Sequence, residues 1–168
     1  MRTDHARPLD MWRLTMSARE KAVLAVLFDS REQAPWDPLP GVTMERATLD
    51  AGDYTTTGLQ GRAVIERKSA SDFASTITAG RERFEDELRR LRAYERKLVI
   101  VEGDLADVYR STAAHPHSII GTVASLTARW DCPVIFAGNR ASALRLGFGI
   151  LRRWEEVLGV QREAAAND

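Results

Sequence analysis

The residues best suited to chemistry fall in four short stretches of the 168-residue chain: Asp29-Ser30-Arg31-Glu32, Gly52-Asp53, Glu66-Arg67-Lys68 and Asp72. Glu66 and Lys68 follow an apolar Val64-Ile65 run, and the two-residue period of a strand sets them on one face with Arg67 on the other. A carboxylate placed there can hold a hard divalent cation. An ammonium beside it can position water or neutralise charge as a phosphodiester is cleaved. Asp53 lies across an inferred hairpin from Glu66, within reach as a second metal ligand, and Asp29 can enter from the end of an apolar strand. Three carboxylates and one lysine then converge. Neighbouring carboxylates repel and raise one another's pKa, so such a cluster needs a counterion, and a divalent cation would supply one. The same residues also read as a network of surface ion pairs, and spacing alone does not choose between the two. Glu32 and Asp72 either meet the cation through water or hold Arg31, Arg67 or Lys68 in place. Asp72 has a further reading, as an acid in the first turn of a helix that satisfies free backbone donors.

The elements that must position these groups follow from patterning. Ala22 to Phe28 is an uninterrupted apolar run of strand length, fit for a central strand buried on both faces, and Asp29 lies where it ends. Pro35, Pro38, Pro40 and Gly41 make the next stretch a loop, and Val42 to Leu49 reads as a half-exposed strand. A turn at Ala51-Gly52 introduces Asp53. Segments around Tyr54 to Thr57 and Arg62 to Glu66 then form a strand pair closed through Gly58 to Gly61. Ser69 and Asp72 predict a helix start, with Phe73 and Ile77 on one face. Beyond Gly80, Phe84, Leu88 and Leu91 recur at helical spacing among many charges. Leu98 to Glu102 reads as a strand, Ile119 to Trp130 as an amphipathic helix and Pro133 to Phe136 as a buried strand. Ala141 to Leu158 is a helix weakened at Gly147 and Gly149. The alternation predicts an α/β domain with a mixed central sheet.

Composition narrows the remaining classes. The length and the 44% hydrophobic content suit one domain with its own core. Twenty-four basic residues balance twenty-four acidic ones, so total charge neither favours nor excludes a nucleic-acid partner. Distribution says more: Arg62 to Lys97 holds ten Lys or Arg against seven Asp or Glu, and Arg140, Arg145, Arg152 and Arg153 follow one another with no acid between. On the first of these segments Arg81, Arg89, Arg92 and Arg96 can reach phosphates, or pair with Glu82, Glu85, Asp86 and Glu87 one turn away. Cys132 is alone, which excludes an intrachain disulfide framework and a multi-cysteine zinc site. With no apolar run near the start, the expected setting is cytoplasmic. His5, His115 and His117 form no metal or acid-base constellation, and no GxxxxGK[ST] loop supports ATP-driven unwinding.

Taken in order, Asp29-Ser30-Arg31-Glu32, Gly52-Asp53 and Glu66-Arg67-Lys68-Ser69-Ala70-Ser71-Asp72 resemble the XPF family of structure-specific endonucleases, whose pattern is DxRE, then GD, then ERKxxxD. Thr78-Ala79-Gly80-Arg81 is similar to the stretch that follows in the family, and the resemblance runs from about Val23 to Leu158. It implies a restriction-endonuclease-like fold, DNA cleavage near a branch, flap or fork, and Mg²⁺ or Mn²⁺ as cofactor. It further implies Asp29, Asp53 and Glu66 as metal-facing acids, Lys68 as catalytic lysine, Arg67 as a brace or substrate contact, and Glu32 and Asp72 as supporting residues. Arg31, Arg67, Arg81 and Arg89 are then the candidate DNA contacts. The family often carries Gln four residues beyond the Arg matching Arg81, where this chain has Glu85. The expected organisation is a polar arm over 1–20, a nuclease domain over 21–160 and a polar tail over 161–168, without the family's tandem helix-hairpin-helix module. Work as a homodimer or with a DNA-binding subunit is expected for that reason. A stripe of Leu144, Phe148, Leu151 and Leu158 is available either for an interface or for the domain's own core.

Overall fold

A computed structural model describes residues 23–166, with side chains through residue 159, so the expected 1–20 arm lies outside the described residues. Among those residues six strands form one sheet: β1 (Leu24–Asp29), β2 (Val42–Ala47), β3 (Tyr54–Thr56), β4 (Ala63–Ser69), β5 (Arg96–Glu102) and β6 (Val134–Phe136). The helices are α1 (Ala70–Ile77), α2 (Arg81–Leu91), α3 (Leu105–Arg110), α4 (Pro116–Trp130) and α5 (Arg140–Ala166). Sheet order is β2-β1-β3-β4-β5-β6. β1 runs parallel to β2, and β4, β5 and β6 are parallel to one another. β3 lies antiparallel between β1 and β4, so the mixed sheet expected from the sequence is the one observed.

Alternation along the strands sends apolar side chains to two cores. On one face Val64, Val99 and Val101 pack with Phe73, Phe84, Leu88, Ile119 and Leu126 of α1, α2 and α4. On the other, Val26, Ile65, Leu98 and Ile100 pack with Leu144, Phe148, Leu151 and Leu158 of α5 and with Trp36. The α5 stripe therefore closes the domain's own core. Trp36 stacks on Tyr54 with ring centroids 4.1 Å apart and meets Phe148 edge-on.

β4, α3 and α5 depart most from the sequence reading. β4 does not stop at Glu66 but continues to Ser69, paired with β5 to Glu102, which keeps Lys68 on the rigid sheet. α3 had no periodic signal because it has only six residues. It is nucleated by a reciprocal cap in which Asp104 and Asp107 each accept the other's backbone N–H. α5 carries its helical backbone to Ala166, beyond the Leu158 end read from the sequence.

Candidate active site

Two backbone hydrogen bonds bring the acids together before any side chain acts. Asp29 N–H donates to the carbonyl of Asp53 at 2.8 Å, and Asp53 N–H donates to the carbonyl of Ile65 at 2.9 Å. The end of β1, the entry to β3 and the middle of β4 thus lie side by side. The chain reaches this register through Gly52, whose φ of 72° is left-handed and whose Cβ, were it present, would stand 2.3 Å from Val64 Cγ2.

On this framework Asp53 Oδ2 accepts the Arg67 N–H at 2.7 Å, which aims its carboxylate towards Glu66. Glu66 is 5% exposed and Lys68 Nζ donates to its Oε1 at 2.7 Å. Burial pushes the Asp53 carboxyl up to about 7, helped by the negative charges of Glu32 and Glu87. Burial and the charge of Asp53 hold Glu66 well above the usual carboxylate range. Burial works against charge on Lys68, but Glu66 and Glu87 more than offset it and hold its pKa above the ordinary value, so the group is an ammonium. Its Nζ also lies 3.5 Å from Glu87 Oε2 and 5.4 Å from the centre of the Phe84 ring, both on α2.

Asp29 is beside this cluster but already engaged. Its carboxylate accepts from Arg31 N (2.8 Å), Nε (2.6 Å) and Nη2 (3.0 Å), and from the Leu49 N–H (2.9 Å). Burial alone would raise its pKa, but these donors outweigh it and the net shift is downward. Arg67 points to the opposite face, as strand alternation requires. Its guanidinium bonds Glu102 Oε2 at 2.7 Å and Glu32 at 3.2 and 3.3 Å, while its Nε is buried without a partner. Glu102 also accepts from Trp36 Nε1 at 2.7 Å and Arg140 Nη1 at 3.3 Å, so Arg67 belongs to a strap between β4, β5, the β1–β2 loop and α5. Asp72 serves the start of α1: its N–H donates to Ser69 Oγ at 3.0 Å and its carboxylate accepts from that hydroxyl.

These groups line a cleft of about 1480 Å³, whose walls also carry Arg31, Arg81, Arg83 and Arg90. Arg81 is on that wall and pairs with Glu85 at 3.7 Å. Arg89 is held by Glu85 and Asp86 of its own helix and is not among the residues lining the cleft. Arg92 stacks on Trp130. Sequence reasoning passed over Glu87, Arg83 and Arg90 as site residues. Glu87 had a legible signal, since it stands three residues after core-facing Phe84 and so on the edge of the buried stripe.

Residues 28–146 match the ERCC4 domain family, and the chain belongs to that family. It carries an ERCC4/XPF-like nuclease domain with the mixed α/β fold of that group. It is similar to XPF from Aeropyrum pernix, with a TM-score of 0.63 and 27% identity over 78% of this chain and 61% of that one. The structure of Aeropyrum pernix XPF in complex with DNA gives a TM-score of 0.64 and 26% identity over 79% of this chain and 65% of that one. A Methanocaldococcus jannaschii protein, provisionally named an ATP-dependent RNA helicase, is 31% identical over 120 residues, 71% of this chain. That stretch is only 14% of the relative's length.

Among the described residues no group of three or more His, Cys, Asp and Glu side chains is disposed to hold a metal ion. Half-buried Asp53 and buried Glu66 remain as a pair of carboxylates turned to one cleft, with the Lys68 ammonium between Glu66 and Glu87. Two carboxylates fit Mg²⁺, which keeps waters and takes substrate phosphate oxygens as further ligands.

Proposed function

We propose that this domain is a divalent-metal-dependent endonuclease that hydrolyses phosphodiester bonds in branched, flap or fork DNA. The observation that carries the reading is the meeting of Asp53, at the entry to β3, with Glu66 and Lys68 of the adjacent β4, in a cleft whose walls carry arginines as well as further carboxylates. Asp53 and Glu66 would hold Mg²⁺ or Mn²⁺, which when bound supplies polarisation of the scissile phosphate and relief of developing charge. Asp29, expected from the resemblance as a third metal-facing acid, lines the same cleft and holds Arg31 on its wall. Lys68, held as an ammonium, is a donor: it orients water or a phosphate oxygen and is worth most where negative charge grows. Arg81, Arg83 and Arg90, which line the cleft, would neutralise phosphates of the bound DNA. Arg67, which also lines the cleft, supports the site through its amide to Asp53 and its ties to Glu32 and Glu102. Recognition of a junction would be shared with a second copy or a DNA-binding subunit.

Labelled flap, fork, splayed-arm and plain duplex DNA, incubated with Mg²⁺ or Mn²⁺ and with EDTA as control, test the proposal. Metal-dependent cutting of the branched substrates is expected. Tight branch binding with no cutting under any metal would instead make this a non-catalytic DNA-binding scaffold.

A further inference from the structure

Lys68 is seated between two carboxylates on different elements. Glu66 shares its strand and takes a full charged hydrogen bond at 2.7 Å, whereas Glu87 is offered by α2 at 3.5 Å, beyond a good hydrogen bond. The Phe84 ring lies one helical turn before Glu87 and gives the ammonium a second favourable surface on that side. An ammonium has three donors, and Glu66 uses one of them. A divalent cation on Glu66 would compete for the same oxygens and repel the neighbouring positive charge. The ammonium must then retreat. Glu87 is the acceptor within a small shift, and it keeps Lys68 inside the cleft rather than releasing it to solvent.

We propose that Glu87 is a positioning residue that receives the Lys68 ammonium when a divalent cation engages Asp53 and Glu66. The inference rests on the metal-site reading given under Proposed function. Glu87 also shares a side-chain hydrogen bond with Glu66, and the part of its effect proposed here is the part carried by Lys68. In the metal-free protein Lys68 serves as the internal counterion of Glu66. With a cation on Asp53 and Glu66, Lys68 would shift towards Glu87 and keep Nζ donors free to face a phosphate.

Calorimetric titration of Mn²⁺ into the full chain, without DNA, separates the possibilities across the unmodified protein, E87Q, K68M and K68M/E87Q. Glu87→Gln should weaken Mn²⁺ binding about tenfold, the scale of one charged hydrogen bond. Lys68→Met should tighten it, and E87Q should cost at least about threefold less affinity in the K68M background than in the unmodified protein, because the lysine that transmits part of the effect is gone. Equal losses in both backgrounds would show that Glu87 acts on the cation directly, and no loss in either would reduce it to a brace for α2. Either result overturns the proposal. Absence of Mn²⁺ binding by the unmodified chain would overturn the metal-site reading itself, and this inference with it. Circular dichroism and thermal melting establish that each variant folds. If E87Q does not, E87D lengthens the same contact and carries the same comparison.

Discussion

Asp53 has two separate roles, because its backbone joins β1 to β4 while its carboxylate faces Glu66. Asp53→Asn keeps the first role and nearly the same volume but removes a formal charge from the second. Its expected effect is a loss of turnover on the order of a thousandfold, equivalent to several kcal/mol of barrier, with little change in DNA affinity. Single-turnover cleavage and a binding titration on folded D53N check this, and retained turnover would remove Asp53 from the site. The raised carboxyl of Asp53 also gives stability a pH dependence. Between the ordinary value near 3.8 and about 7 the folded chain holds a proton that the unfolded chain releases. In the metal-free protein this contribution to stability is therefore present at acid pH and is lost as pH rises towards 7. If Mg²⁺ binds as proposed it takes the proton's place, so the rise in Tm on adding Mg²⁺ should be small at pH 5, large at pH 8 and nearly absent in D53N. A metal effect of equal size at both pH values would contradict the assignment.

Among the elements, α5 shows how local propensity and tertiary packing diverge. Its two mid-helix glycines look alike in sequence, yet a Cβ at Gly147 would stand 2.5 Å from the Trp36 ring while one at Gly149 meets nothing within 4 Å. Gly149→Ala should therefore stabilise by roughly 1 kcal/mol through helix propensity. Gly147→Ala should destabilise, because the indole it displaces is buried at 2% exposure and bonded to Glu102. Urea unfolding of the two variants decides the signs. The same contrast explains what the sequence made legible. Strands and long helices were readable because alternation and the Phe84, Leu88, Leu91 stripe report burial directly. The site was readable as a set of residue types, since Glu66 and Lys68 share a face at strand spacing. The engagement of Asp29 by Arg31 and Leu49 was not, because it depends on a loop closing back over β1. Nor was the strap through Arg67, Glu102, Trp36 and Arg140, whose members are up to 104 positions apart in the chain.

For the whole molecule the open matter is assembly. The Leu144, Phe148, Leu151 and Leu158 stripe once available for an interface is consumed by the domain's core, and among the described residues the exposed large apolar side chains of α5 are Leu146 and Val157. A homodimer is proposed to use that outer surface, setting two arginine-walled clefts along one branched duplex. Mass measurement at micromolar concentration, with and without forked DNA, should give a dimer, and Leu146→Asp should give a monomer of unchanged fold. A wild-type monomer in both conditions that still selects forks would place junction recognition within this single domain. Among the described residues no helix is long and apolar enough to cross a membrane.

The left-handed turn at Gly52 makes one position unusually intolerant of mutation and gives it a second-site remedy that can be foreseen. Gly52→Ala brings two faults, a backbone conformation costing about 1 kcal/mol or more and a methyl overlapping Val64. Val64→Ala removes only the overlap. A selection for revertants of G52A should therefore return partial suppressors at Val64, each recovering part of the lost activity, and full recovery only by restoring glycine. Complete rescue by V64A would mean that the turn can be rebuilt without its left-handed residue.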